Sequence, residues 1–197
     1  MGRVVVFTNL TLDGVMQAPG RADEDRRGGF EHGGWATPYA AMQHAGGAMA
    51  DTGALLFGRR TYEDFYSVWP KRKDSRFTAV LENTQKYVAS TTLKEPLPCK
   101  NSTLQKGDAA EAVAALKGEP GKDFLVMGSG ELARSLMRRN VVDEYLLLIY
   151  PLVLGSGRRL FPDGDPPFAL RLVSIRTTPT GVVIATYQPA EPGAAGT

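Results

Sequence analysis

One cysteine, no long apolar run and no excess of either charge sign: these shortages narrow the field before any motif is considered. A lone Cys99 cannot close an internal disulfide, so a reducing compartment is the simpler setting. It lies in the Pro-rich stretch "EPLPCKN" with no histidine near it in sequence, which reads as a loop thiol rather than a nucleophile. The opening "MGRVVVFTNL" lacks the apolar core of about 7–15 residues that a secretory leader needs. No apolar stretch approaches the roughly 20 residues of a membrane span. Lys and Arg number 23 against 21 Asp and Glu, a net charge of +2 spread along the chain, so neither a nucleic-acid surface nor an anionic membrane is indicated. The expectation is a cytoplasmic protein whose partner is a small molecule, with no metal site.

What is present is enough for a core: 197 residues, 43% of them apolar, fit one globular domain over 1–188, followed by a low-complexity tail at 189–197 expected to be disordered. Strand-like runs fall at 3–10, 54–57, 86–90, 123–127, 143–150, 170–178 and 181–187. Helical patterns fall at 38–50, 60–68, 75–83, 108–117 and 130–139, and Asp108 with Glu111 three positions on forms a capping-box pattern. Continuous apolar strands alternating with helices predict an α/β domain with a mixed, mostly parallel central sheet and helices on both faces. The last two strands, joined at "TPTG", predict an antiparallel hairpin at its edge. Residues 13–37 form a long Gly-rich, charged connection, the kind of loop that serves as a lid or stays disordered.

Three strand ends carry small or basic residues just before a helix or turn: "FGRRTYE" at 57–63, "VASTT" at 88–92 and "MGSGELA" at 127–133. Ligands of open α/β sheets collect beyond the carboxyl ends of strands, so these three form one crevice if they are neighbours. Gly58 permits close approach, Arg59 and Arg60 offer charge-assisted donors, and Thr61 stands at a helix start. Taken alone, the first end is equally a strand stop with solvated arginines, and Ser90, Thr91 and Thr92 equally cap the chain locally. Gly128, Ser129 and Gly130 either bare backbone N–H groups to a phosphate or make a plain tight turn. "GSGELA" fits G-x-G-x-x-A, but a Rossmann site needs an acid at the end of the following strand, and Asp143 and Glu144 stand at its beginning.

Taken in order, "TLDGVMQ", "LLFGRRTYE", "KYVAST", "FLVMGSGELA", "VDEYLLLIYPLVLGSGRRLFP" and "TGVVIATYQ" resemble the dihydrofolate-reductase-like fold. The resemblance is closest to the reductase domain of the bifunctional riboflavin-biosynthesis enzyme and its free-standing bacterial relatives, and it runs from residue 3 to 188. It implies an NADPH-dependent reductase. Gly58, Arg59, Arg60 and Thr61 would receive the 2′-phosphate and pyrophosphate, and Ser90 and Thr91 would share the adenosine side. Gly128, Ser129, Gly130, Glu131 and Leu132 would lie along the pyrophosphate and nicotinamide ribose, and backbone around Asn9 and Met16 would hold the carboxamide. Many relatives have Arg where this chain has Thr91, so preference for NADPH rests on Arg59 and Arg60. A homodimer is also implied, since edge strands or sheet faces pair subunits in the family.

On the substrate side, folate reductases carry W-x-x-P-x-(D/E), whose acid pairs with the pterin. Here "WATPYA" keeps Trp35 and Pro38 but has Ala40 in the acid's place, and Leu148 matches the Thr that accompanies that acid. An efficient dihydrofolate reductase is therefore not expected. Asp13 is the remaining acid, read as orienting substrate or supplying a proton, or else as a turn-forming Asp-Gly. Glu31 and His32 read as solvated. Trp35, Tyr66 and Tyr150 stack on a heterocycle or pack in the core. Arg158 and Arg159 are candidates for a phosphorylated substrate, and Gly155 and Gly157 read as turn residues. The nearest family activity is reduction of the phosphoribosylamino-uracil intermediate of riboflavin synthesis. The alternative is a nucleotide- or flavin-binding protein of the same fold without turnover.

Overall fold

A computed structural model describes residues 2–44, 52–72, 76–118 and 123–190. Its strands are β1 (Val4–Thr11), β2 (Ala54–Gly58), β3 (Gln85–Ala89), β4 (Ser102–Gln105), β5 (Phe124–Val126), β6 (Glu144–Tyr150), β7 (Leu170–Thr177) and β8 (Val183–Pro189). The α-helices are α1 (Arg59–Val68), α2 (Arg76–Asn83), α3 (Ala109–Gly118) and α4 (Gly130–Arg138). The strands form one eight-stranded mixed sheet in the order β4-β3-β2-β5-β1-β6-β8-β7. By its internal contacts the chain forms two compact units, Met1–Val6 with Gly47–Val142, and Phe7–Gly46 with Asp143–Thr197.

In the first unit the strands run parallel. β2 pairs with β3 and with β5, β3 with β4, and β5 with the start of β1. β2 (ALLFG) and β5 (FLV) are buried along their whole length, which is why both read as unbroken apolar runs. α1 buries Tyr62, and its Phe65 meets Phe57 and Trp69 edge-on at ring-centroid distances of 5.3 and 6.2 Å. α3 starts where Asp108 Oδ1 accepts hydrogen bonds from the N–H groups of Ala110 (2.8 Å) and Glu111 (3.0 Å), the cap its sequence implied. α4 buries Leu132, Ala133 and Leu136, one stripe at helical spacing.

In the second unit β6, β8 and β7 are antiparallel, with Tyr145 opposite Tyr187 and a bulge between Leu172 and Ser174 of β7. The hairpin turn falls at Thr178–Gly181, where the Gly181 N–H donates to Thr178 O at φ +80°, as "TPTG" predicted. The connection after β1 is neither open nor structureless. Val15, Ala18, Phe30, Trp35 and Ala36 are buried, and a single antiparallel bridge joins Val15 to Arg159.

Two expectations need correction. The polar stretch "STLQ" forms β4, missed because Leu104 is its only buried residue and four residues show no period. The helix expected at 38–50 is, where described, two short 3-10 turns at Thr37–Tyr39 and Ala41–His44, separated by Ala40 in the left-handed region at φ 48°. Residues 45–50 of that helix, the first residue of the 75–83 helix and most of the expected tail lie outside the described residues.

Lys86 is the least expected member of the first unit's core, only 3% exposed on β3. Its Nζ donates to the carbonyls of Leu81 (2.6 Å) and Thr84 (2.8 Å), capping the end of α2, and burial holds its pKa below the usual lysine range. Replacing Lys86 with Met keeps the apolar stem but orphans both carbonyls, which costs about 2–4 kcal/mol. Urea denaturation should show that loss as a lower midpoint at unchanged slope, and Lys86→Arg should retain part of the stability.

Candidate functional site

Within the first unit the three strand ends singled out in the sequence are side by side. Gly58 of β2 stands opposite Ala89 of β3, and Leu56 of β2 stands opposite Val126 of β5. The Gly58 N–H donates to Gly128 O at 2.9 Å, and the Met127 N–H donates to Leu56 O at 3.2 Å. A Cβ on Gly58 would sit 2.3 Å from Ser129 Oγ, and one on Gly128, at φ +121°, would sit 2.9 Å from Thr61 Oγ1. The two glycines are thus required by the approach of one strand end to the other, a reason that neither the phosphate reading nor the tight-turn reading had contained. The Gly128–Ser129 peptide is cis.

Two helices leave from this point, α1 directly from the end of β2 and α4 after the three residues 127–129 that follow β5. α1 has Gly58 as N-cap and α4 has Ser129, and neither cap residue gives its helix a side-chain hydrogen bond. Both first turns therefore present backbone N–H groups without a capping side chain, each at the positive end of a helix dipole. Arg59 Nη1 pairs with Glu63 at 3.1 Å across one helical turn. Arg60 is exposed and has no hydrogen bond or ion pair among the described residues. Ser90 Oγ accepts from the N–H groups of Thr92 (3.1 Å) and Leu93 (3.0 Å) and shares a hydroxyl–hydroxyl hydrogen bond with Thr92 Oγ1 (3.4 Å), so it caps its own turn. Thr91 beside it is exposed. Glu131 pairs with Arg134, and Leu132 is buried. Tyr66 lies two turns along α1, exposed and without a ring contact among the described residues, so it is not brought to the strand ends.

The second unit holds the remaining candidates. Asp13 is committed to structure. Its Oδ1 accepts from Thr11 Oγ1 (2.5 Å) and the Leu154 N–H (3.2 Å), its Oδ2 accepts from the Gly155 N–H (2.8 Å), and its carbonyl takes Arg159 Nε (2.9 Å). The Thr11 hydroxyl and the backbone donors hold its carboxyl below the usual range against a smaller opposing effect of burial. This is a clamp between the turn at 11–15 and the loop at 152–155, with Arg159 part of it. Gly157, at φ +122°, is closed in by Val15 Cγ1 at 2.7 Å and Phe30 Cε2 at 2.8 Å from where a Cβ would stand.

Gln17, which went unweighed in the sequence, is the centre of the long connection. It is buried, its Nε2 donates to Asp25 O (3.1 Å) and Arg27 O (3.0 Å), and its Oε1 accepts the Arg158 N–H (3.0 Å). The only hint was its place at the end of "TLDGVMQ". The Met16 N–H is also taken, by Arg158 O at 2.8 Å. Arg158 itself is exposed, and its charge adds to that of Arg27 in holding Asp25 below the usual carboxylate range despite burial.

Trp35 and Tyr150 are both core residues. Trp35 donates its indole N–H to Gln17 O at 2.8 Å, and Tyr150 is fully buried between the edges of Trp35 (5.1 Å) and Tyr39 (5.3 Å). The Tyr150 hydroxyl donates to Asn9 Oδ1 at 2.8 Å, which turns the Asn9 amide so that its NH₂ faces away from the ring. Burial pushes the Tyr150 phenol up to about 12, and the Tyr145 phenol likewise to about 12. Among the described residues, no group of three or more His, Cys, Asp or Glu could hold a metal, and no helix is long and apolar enough to cross a membrane.

A mixed sheet of this order, with helices starting from adjacent parallel strand ends, defines an α/β protein of the dihydrofolate-reductase-like fold. The RibD C-terminal domain model matches residues 3–184, and the chain belongs to that family. It is 33% identical over 138 residues to the uncharacterized protein YyaP of Bacillus subtilis (strain 168), spanning 68% of this chain and 72% of YyaP. Among solved structures, it is similar to a protein provisionally assigned to riboflavin biosynthesis from Shewanella sp. PV-4 (TM-score 0.69, 18% identity, 96% of this chain and 99% of the other). A pyrimidine reductase-like protein from Corynebacterium diphtheriae follows (TM-score 0.64, 11% identity, covering 97% and 93%). Dihydrofolate reductase from Enterococcus faecalis, complexed with NADP(H), matches at TM-score 0.61 and 13% identity, covering 96% and 98%. Identities this low establish the shared fold.

Two outcomes follow from the packing. Gly58→Ala should lower stability by about 1–3 kcal/mol in chemical denaturation, because its Cβ collides with Ser129. Gly118→Ala, in a helix with nothing within 4 Å among the described residues, should leave stability unchanged or raise it by up to about 1 kcal/mol. At alkaline pH the unfolded phenol ionises near 10, whereas folded Tyr145 and Tyr150 keep their protons to about 12. The folded state then binds more protons, so stability should fall as pH rises from about 10 to about 12. Phenolate absorbance should show the late-titrating class, diminished in Tyr150→Phe.

Proposed function

We propose that this chain is an NADPH-dependent reductase acting on a small heterocyclic, carbonyl or imine substrate. The observation that carries the reading is the pair of helix starts, α1 and α4, leaving adjacent parallel strand ends with no side-chain cap on either and with Arg60 unpaired among the described residues. Such donors fit a dianionic pyrophosphate and an added phosphate. Arg60, with no partner among the described residues, is assigned to the 2′-phosphate, and Arg59 can join it by exchanging Glu63. Thr61 and Ser129 border the same point, Ser90 can turn its hydroxyl from Thr92 to the ligand, and the exposed Thr91 is assigned to the adenosine side. The resemblance assigns the carboxamide to Asn9 and Met16. With the Met16 N–H already used, that assignment falls on its carbonyl and on the Asn9 amide that Tyr150 orients. NADPH, when bound, supplies a hydride; the protein supplies orientation and a water-poor surface.

The phosphoribosylamino-uracil of riboflavin synthesis is the first substrate to test, with a homodimer as the working assembly. Dihydrofolate should be a poor substrate. Ala40 occupies the left-handed residue between two 3-10 turns and offers no carboxylate to a pterin. Losing a buried charged hydrogen bond costs about 2–5 kcal/mol.

A second reading, binding without turnover, is favoured by one fact: every oxygen of Asp13 is engaged by Thr11, Leu154, Gly155 and Arg159, which leaves the leading acid without a proton to deliver. Following the loss of NADPH absorbance with the uracil intermediate, dihydrofolate and a panel of carbonyl compounds separates the readings. Tight binding without oxidation in any mixture supports the second, and rapid oxidation with dihydrofolate refutes the argument from Ala40. Arg59→Ala/Arg60→Ala should weaken NADPH at least tenfold while leaving NADH within about twofold, as measured by fluorescence titration. An unchanged ratio removes the 2′-phosphate role.

A further inference from the structure

Asn9 stands near the end of β1 and Tyr150 at the end of β6, two strands that are neighbours in the sheet. They meet where the Tyr150 hydroxyl donates to Asn9 Oδ1 at 2.8 Å. A primary amide can face a phenol with either end, because a phenol both donates and accepts. Burial decides which end it is here. Tyr150 is fully buried and its hydroxyl has no other partner among the described residues, so an amide turned round would leave the phenol proton without an acceptor. Asn9 therefore directs its oxygen inward and its NH₂ outward. Neither hydrogen of that NH₂ has a partner among the described residues. Asn9 is half-buried, and no sealed side-chain donor among the described residues lacks a partner, so the pair reaches solvent.

The phenol itself has little freedom to yield. Its ring is held edge-on by Trp35 (5.1 Å) and Tyr39 (5.3 Å). Trp35 is tied through its indole N–H to Gln17 O, and the Gln17 side chain is hydrogen-bonded at both its oxygen and its nitrogen. A run of fixed contacts thus leads from the long connection through Trp35 to Tyr150 and ends on the Asn9 amide, all within the second unit.

We propose that Tyr150 is a positioning residue that locks Asn9 as a donor-only contact, so that this point of the site takes the oxygen of an uncharged carbonyl on the ligand. The proposal deepens the reductase reading and rests on it. An amide free to turn adapts to an acceptor or to a donor, whereas a locked one has its geometry prepared for the acceptor alone. The Tyr39 hydroxyl, also without a partner among the described residues, rotates to suit either kind of group and makes no such choice. Burial pushes the Tyr150 phenol up to about 12, so the lock does not titrate near neutral pH. Two oxygens have the required chemistry, that of the nicotinamide carboxamide and that of a substrate carbonyl.

Calorimetric titration of the full chain tests the lock and separates the two sources. The probes are NADP⁺, adenosine 2′,5′-bisphosphate, which lacks the nicotinamide, and uracil added to the NADP⁺-saturated protein. Asn9→Ala should weaken the probe whose oxygen is held by about three- to tenfold, the net worth of a hydrogen bond. Tyr150→Phe keeps the ring and frees the amide, which should weaken the same probe by about two- to tenfold through the lost competent fraction. The double variant should bind no more weakly than Asn9→Ala, because Tyr150 acts only through Asn9. Asn9→Asp keeps an acceptor for Tyr150 but removes the N–H pair, so it should be at least as weak as Asn9→Ala, and it supplies the test if Tyr150→Phe loses its fold. A loss with NADP⁺ at unchanged adenosine 2′,5′-bisphosphate affinity assigns the oxygen to the carboxamide. A loss with uracil at unchanged NADP⁺ affinity assigns it to the substrate. NADP⁺ and uracil binding unchanged in the variants, additive losses in the double variant, or wild-type binding by Asn9→Asp overturns the proposal alone. A wild type that binds neither NADP⁺ nor adenosine 2′,5′-bisphosphate overturns the cofactor reading as well.

Discussion

The arrangement of the first unit depends on the contact between the ends of β2 and β5. The Gly58 N–H meets Gly128 O at 2.9 Å, and neither residue has room for a Cβ because Ser129 fills the space beside one and Thr61 beside the other. With the two ends this close, α1 and α4 must begin next to each other. Their uncapped first turns then form a cluster of donors that neither helix has alone. The same residues that resemble a phosphate fingerprint in sequence are, in three dimensions, first a packing requirement, with the two helix starts beside it.

The second unit solves a different problem, the fastening of a long polar connection. Gln17 accepts from the Arg158 backbone and donates to two carbonyls of the 25–27 turn, while Asp13 ties the turn after β1 to the loop at 154–155. Buried amides and carboxylates of this kind stabilise only when every donor and acceptor is matched. Each of them is matched here, so the connection is fastened to the rest of the second unit at Asp13 and Gln17 and contributes Val15, Phe30 and Trp35 to its core. Lys86 has a comparable duty in the first unit, where an ammonium is kept in the core to close the end of α2.

How much could be read from the chain alone varied with the physics involved. β2 and β5, buried on both faces, announce themselves as apolar runs. α3 announces itself through Asp108, because capping is local. β4 did not, since a four-residue edge strand with one buried side chain has too few residues to show a period. The helix at 38–50 was suggested by alanines, yet Ala40 takes a left-handed conformation that breaks the described part into two 3-10 turns. Trp35 and Tyr150 had two open roles, stacking on a ligand or packing in the core. Only burial and their mutual edge-on contact separate the two.

The sequence by itself determined the order of seven of the eight strands and of the four α-helices described, the parallel and hairpin portions of the sheet, and the three strand ends at which small and basic residues gather. Those properties are set by neighbours within a few positions, through periodicity, capping and turn chemistry. Tertiary structure decided that the three ends are adjacent, that the glycines serve chain-to-chain approach, that Asp13 and Gln17 are fasteners, and that Tyr150 turns the Asn9 amide. Each of these depends on atoms brought together from residues dozens to more than a hundred positions apart, a proximity that no local pattern encodes.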